Sequence, residues 1–121
     1  MIKPLKTPGP EHPITVEPTR RRVAVKAGGR TIADTRDALI LQEASYPAVH
    51  YIPRADTDLS QLTRSAHATY FPYKGDASYY HLAGAENAVW SYETPHPAMT
   101  AIQDYLAFYP DRVDAIEVSE G

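Results

Sequence analysis

The chain has 121 residues, with 12 basic and 15 acidic side chains and no cysteine, for a net charge of 12 − 15 = −3. That length suits one domain that buries its own core, and the missing cysteines exclude a disulfide framework, a thiolate zinc site and a cysteine nucleophile. No apolar run approaches the roughly 18 residues of a membrane span and the start lacks an apolar signal stretch, so a soluble protein of the cytoplasm is expected.

Pro4, Pro8, Pro10, Pro13 and Pro18 crowd the opening segment. Proline lacks the backbone donor of helices and central strands, so residues 1–11 read as a flexible proline-rich arm. Ile14 and Val16 then begin a domain expected over residues 12–118, against which they pack. Residues 119–121 are the end of an acidic tail: from position 111 onward Asp111, Asp114, Glu117 and Glu120 oppose Arg112, which accounts for the whole net charge. Arg20, Arg21 and Arg22 form the dense basic patch, too small for the broad basic face of a nucleic-acid binder.

From Arg22 the apolar residues alternate, and Gly28-Gly29 between two such runs predicts a hairpin of Arg22–Ala27 with Arg30–Asp34. Leu39–Leu41 and Val49–Ile52 are too short for helices and read as strands. Pro53–Ser65 is polar and predicts a long loop with one helical turn around Leu59 and Leu62. Ala77–Leu82 and Ala88–Tyr92 predict a second hairpin turning through Ala83–Asn87. Ala98, Met99, Ile102 and Leu106 suit a short amphipathic helix after Pro97. Leu106–Tyr109 and Val113–Val118 are expected to pair across Pro110-Asp111-Arg112. Seven or eight short antiparallel strands make a mainly β protein, an open sandwich or barrel.

The chemistry-bearing stretch is Tyr70-Phe71-Pro72-Tyr73-Lys74-Gly75 with Tyr79-Tyr80, where rings surround a lysine that has no carboxylate nearer in sequence than Asp76. Such a lysine serves as a ligand-binding cation or as a snorkelling surface group. Period two places residues 88, 90 and 92 on one face, with Tyr79 or Tyr80 opposite. Asp56 and Asp58, at i and i+2, have the spacing of a metal-assisted transferase pair, or are solvated loop acids. His12, His50, His67, His81 and His96 lack ligand spacing, so no metal is expected. Gly28-Gly29 is a turn rather than a phosphate loop, and Ser65, Ser78 and Ser91 lack a nucleophile elbow.

Five blocks in order resemble domain-of-unknown-function family 427: Arg22-Val23-Ala24-Val25 with Gly28-Gly29-Arg30, Tyr46 to Pro53, Thr69 to Gly75, Ala88 to Tyr92, and Ala107 to Asp114. The resemblance spans residues 12–118. It implies a β-tent, two small antiparallel sheets meeting at an angle, similar to methionine sulfoxide reductase B and the thalidomide-binding domain of cereblon. The family carries a nucleotidyltransferase-like label, and no activity comes with it. This chain has Phe71 where the family usually has Cys and Tyr80 where it often has Trp. The zinc that tent relatives hold with four cysteines does not carry over.

The reading favoured by these residues is a binding module with an aromatic pocket for a small planar or cationic ligand, built from Tyr51, Tyr73, Lys74, Trp90 and Tyr92. No cofactor, nucleic acid or membrane is expected. Two alternatives stand: a metal-assisted enzyme acting on a nucleotide or similar substrate through Asp56 and Asp58, and a protein-interaction domain. A homodimer stays open.

Overall fold

The computed structural model describes residues 4–82 and 84–120; residues 1–3 of the expected arm, Ala83 of the expected second turn and Gly121 of the tail lie outside them. Ten strands follow one another: β1 (Ile14–Pro18), β2 (Arg22–Ala27), β3 (Arg30–Thr35), β4 (Leu39–Glu43), β5 (Val49–Tyr51), β6 (Leu62–Phe71), β7 (Gly75–Leu82), β8 (Ala85–Ser91), β9 (Ala107–Phe108) and β10 (Ala115–Ser119). They form three antiparallel sheets, in the orders β1-β4-β5, β10-β2-β3 and β6-β7-β8-β9. The fold is mainly β, as expected, with three sheets where the resemblance implies two. Among the described residues no helix is long and apolar enough to cross a membrane.

Local sequence explains the first hairpin. Gly28 and Gly29 take φ of 59° and 76°, a backbone that glycine enters without a Cβ penalty, and Ala27 pairs with Arg30. The β7–β8 hairpin forms too, but it is longer than expected, pairing Leu82 with Ala85. Its alternating residues serve two cores. Tyr80, Leu82 and Val89 pack with Val23, Val25, Ile32 and Phe108, whereas Ala77, Tyr79 and Tyr92 pack with Leu41, Tyr51 and Ile102. Ile14 and Val16 of β1 rest against the second cluster.

Three expectations need correction. The polar stretch from Leu62 is an edge strand, not the end of a loop. Its inner residues face solvent on both sides and its pairing with β7 shifts between Arg64 and Ala68, so no period of two marks it. The helix expected near Ala98 is a 3-10 segment, Pro97–Ile102, interrupted at Met99 with φ −117°. Asp104, at φ 66°, then donates its N–H to the Tyr92 carbonyl at 3.0 Å, which turns the chain away before Leu106. Finally, Leu106–Tyr109 does not pair with the last strand. Pro110–Arg112 is a 3-10 turn, beyond which Asp114 N–H reaches the Lys26 carbonyl at 2.8 Å and β10 joins β2.

A polar clamp closes the far face of the β7–β8 hairpin. The Glu93 carboxylate accepts from Arg64 at 2.9 Å and 3.0 Å, Arg54 at 3.1 Å, Tyr80 at 2.5 Å and Ser78 at 3.2 Å. Arg54 also donates to the Asp104 carbonyl at 2.7 Å and to Ser91 at 3.1 Å. Hydrogen bonds from Arg64, outweighing partial burial, and from Tyr80 hold Glu93 down to about 2, against the ordinary 4.5. Its folded-state value is depressed, so its contribution to stability is fully present above about 4.5 and fades as pH falls toward about 2. Glu93→Gln should remove that part of the acid limb. Melting temperatures followed by circular dichroism from pH 2 to 6 test this: the variant should lose less on acidification, and a curve parallel to the parent would refute the assignment.

Candidate functional site

The second core does not close completely. Between β4, β5 and the β7–β8 hairpin lies a cavity of about 150 Å³. Leu41 and Glu43 reach it from β4, Val49 and Tyr51 from β5, Tyr79 from β7, and Trp90 from β8 with Tyr92 just beyond it. Tyr109 follows β9, and Phe71 and Lys74 come from the β6–β7 turn. Exposed Tyr46 and Pro47 border it from the β4–β5 connection.

Strand periodicity delivers the rings. Tyr79 lies directly across from Trp90 in the ladder. Trp90 stands edge-on to Tyr51, with centroids 6.4 Å apart and planes at 86°, and donates its indole N–H to the Tyr51 hydroxyl at 3.3 Å. On its other side it meets Tyr109 at 4.5 Å, and Phe71 meets Tyr92 edge-on at 6.4 Å. These are the separations at which aromatic quadrupoles attract. Trp90 and Val49 also bound a second cavity of about 80 Å³, which His50 lines.

One end of the aromatic cavity is ionic. The Lys74 ammonium donates to Glu43 Oε1, and His12 Nε2 lies 2.8 Å from Glu43 Oε2. The lysine and glutamate side chains are only 12 % and 17 % exposed, so each needs the other: an unpaired charge in such a place is costly. Burial pushes the Glu43 carboxyl up, but the hydrogen bonds from Lys74 and His12 outweigh it and hold it below its usual range. The Glu43 carboxylate is therefore held in its ionised form, paired with the Lys74 ammonium. Lys74 is not the uncompensated cation expected from its sequence neighbours.

The remaining hydrogen-bonding capacity includes donors from Lys74 and Tyr92. An ammonium carries three N–H groups, of which Glu43 takes one. Tyr92 is 2 % exposed, and its hydroxyl has no hydrogen-bond partner among the described residues. Among the described residues Asn87 Oδ1 is the sealed side-chain polar atom left without a partner, so the Tyr92 hydroxyl keeps some exposure, and Tyr92 lines the cavity. Burial, with Tyr51, Tyr79 and Glu43 nearby, pushes its ionisation up. Burial likewise raises Tyr51, and burial with a hydrogen bond to Tyr79 pushes Tyr109 up to about 12. At neutral pH these phenols are neutral hydroxyls.

Of the five residues picked from the sequence, Tyr51, Lys74, Trp90 and Tyr92 line this one cavity. Tyr73 does not: its ring lies 4.1 Å from His12 at 10°, stacked outside. Glu43 and Tyr109 escaped the sequence reading. A signal existed for Glu43, which follows Leu39 and Leu41 at spacings of two and so shares their inward face. Asp56 and Asp58 are committed locally. Asp56 accepts from the Thr35 hydroxyl at 2.7 Å, and Asp58 caps the Leu59–Gln61 turn, accepting from Ser60 N–H at 3.2 Å. The Ser60 hydrogen bonds hold Asp58 below its ordinary value. Among the described residues, no group of three or more His, Asp or Glu side chains is placed to hold a metal.

A family model described as a domain of unknown function (DUF427) matches residues 15–119, nearly the stretch over which the sequence blocks fall. No curated protein matches the chain.

The turn that presents Lys74 depends on Gly75. Its φ is 112°, and an added Cβ would meet His96 N at 3.4 Å and the Pro95 and Thr94 backbone at 3.5 Å. His96 N–H approaches closely enough to donate to the Lys74 carbonyl at 2.9 Å. Gly75→Ala combines a disfavoured conformation with contacts that have little room to give, and should cost about 1–3 kcal/mol. Urea denaturation would measure it, and parent-like stability would show that the turn relaxes without penalty.

Proposed function

The chain belongs to the DUF427 family, and from that premise we propose that it is a small-molecule binding module whose cavity takes one planar ring bearing a carbonyl oxygen. The observation that carries the reading is the Tyr92 hydroxyl, without a hydrogen-bond partner among the described residues, in the same largely aromatic cavity that Lys74 lines. Pockets for small molecules combine apolar walls with a few directed polar groups. The polar groups still uncommitted here are the donor-only Lys74 ammonium and the Tyr92 hydroxyl, which donates as well as accepts, and one acceptor on the ligand serves both.

Size and charge narrow the class. About 150 Å³ matches a cavity that admits benzene, so the occupant is a single ring with small substituents. Trp90, Tyr92 and Tyr109 supply faces and edges for it, each aromatic contact contributing on the order of 1 kcal/mol. A cation would meet the like charge of the Lys74 ammonium, and both Glu43 oxygens already have partners. A carboxylate ligand would lose its hydration beside Glu43. The neutral carbonyl accepts from Tyr92 and Lys74 without either cost.

Benzamide is a suitable probe, with toluene and phenyltrimethylammonium as comparisons. Trp90 is the sole tryptophan, so its emission reports on one wall of the cavity. Benzamide should raise the melting temperature, shift that emission and bind more tightly than either comparison. Tyr92→Phe should weaken benzamide about fivefold, as expected for one hydrogen bond of about 1 kcal/mol, and leave toluene unchanged. Tighter binding of phenyltrimethylammonium, or an emission unmoved by all three, would sink the reading.

A further inference from the structure

We propose that His12 is a positioning residue for this cavity: it fixes the Glu43 carboxylate so that Glu43 in turn aims the Lys74 ammonium inward, which makes the N-terminal segment part of the site. The inference rests on the reading of the cavity as a ligand site and adds the residue that sets its polar end.

The argument begins with hydrogen-bond inventory. An ionised carboxylate only accepts, so the proton in the 2.8 Å contact between His12 Nε2 and Glu43 Oε2 belongs to the histidine. Glu43 then has one oxygen on His12 and the other on Lys74. With both ends held, the carboxylate cannot turn about its last bond. Released from His12, its two oxygens become equivalent, and the flexible lysine stem follows whichever faces it. The Phe71 ring, whose centroid is 5.9 Å from the ammonium, offers another resting place by cation–π attraction.

The histidine is itself held from outside the cavity. Tyr73 lies flat against it at 4.1 Å, and the Lys6 ammonium stands 5.8 Å from the centroid of the Tyr73 ring. Main-chain bonds tie the same segment down: Lys6 N–H donates to the Pro72 carbonyl at 2.9 Å, and Gly9 and His12 exchange bonds at 3.3 Å and 3.0 Å. The Tyr70 hydroxyl donates to the Pro4 carbonyl. Residues 4–12 therefore lie along the turn that carries Lys74, and Tyr73 enters the site at one remove, as the platform beneath His12.

Two substitutions separate the hydrogen bond from the stack. His12→Phe keeps a ring on Tyr73 and removes the donor, whereas His12→Gln places an amide N–H at the reach of Nε2 and removes the ring. The first measurement needs no ligand: the ¹⁵N ammonium signal of Lys74, which a fixed partner protects from solvent exchange, should persist in the parent and in His12→Gln and disappear in His12→Phe. The second is affinity. Benzamide should bind His12→Phe roughly tenfold more weakly, equivalent to about 1.4 kcal/mol, and His12→Gln within about twofold of the parent, with toluene indifferent to both. A Lys74 signal that persists in His12→Phe, or one lost in His12→Gln but kept in His12→Phe, would overturn the proposal in favour of simple packing. If benzamide fails to bind the parent while the Lys74 signal behaves as expected, the ligand reading falls and the positioning role of His12 stands.

Discussion

Ile52 and Leu106 exchange two backbone hydrogen bonds, each 2.8 Å long, at a point where neither side chain is more than 1 % exposed. Buried peptide groups must find partners, and here each finds one on the other segment. This bridge binds the end of β5 to the start of β9, and so joins the β1-β4-β5 sheet to the four-stranded one. Tyr51 precedes the bridge on one side, and Ala107, Phe108 and Tyr109 follow it on the other. Their positions, and hence two walls of the aromatic cavity, descend from that single pair of bonds.

Around the bridge, the β7–β8 hairpin works as a partition with a different chemistry on each face. On one face Tyr80, Ser78 and Ser91 meet Glu93, Arg54 and Arg64 in a clamp whose hydrogen-bonding groups satisfy one another. On the other, Tyr79, Trp90 and Tyr92 leave a gap and a hydroxyl without a hydrogen-bond partner among the described residues. A protein interior ordinarily closes such gaps, since voids forfeit dispersion contacts. A buried ion pair is likewise a poor source of stability compared with packed hydrocarbon. Both features concentrate on one face of one hairpin, while the clamp behind is fully engaged. Such local exceptions to good packing are what functional sites look like physically.

Local patterns made half of this architecture legible. Gly28-Gly29, the alternation on either side of it, and the bracketing prolines of the Val49 segment are signals carried by adjacent residues, and the matching strands form where they were expected. The long strand β6 was hidden because its order comes from the backbone of β7 rather than from its own side chains. The Leu106–Tyr109 segment was misassigned because its partners, Ile52 and Val89, lie far away in sequence, and a 3-10 turn looks much like a hairpin turn when written as Pro-Asp-Arg. The site follows the same rule. Trp90 and Tyr92 were found by counting in twos, whereas Glu43, 31 residues from Lys74, could be matched to its lysine only once β4 had been laid beside the β6–β7 turn. Tyr73, next to Lys74 in sequence, points elsewhere for the ordinary reason that neighbours in a turn do not share a face.

Tyr80 and Phe71 fall on opposite faces of this partition. Tyr80 donates its hydroxyl to Glu93 at 2.5 Å and accepts from Arg64 at 3.0 Å; an indole N–H could donate but could not accept, so the clamp as built here needs the phenol. Phe71 lines the cavity, stands edge-on to Tyr92 and lies under the Lys74 ammonium. A phenyl ring in that place offers the ammonium only its face, and leaves Glu43 as the anion that fixes the lysine. The anionic partner of Lys74 is thus Glu43, a carboxylate that holds the ammonium in place.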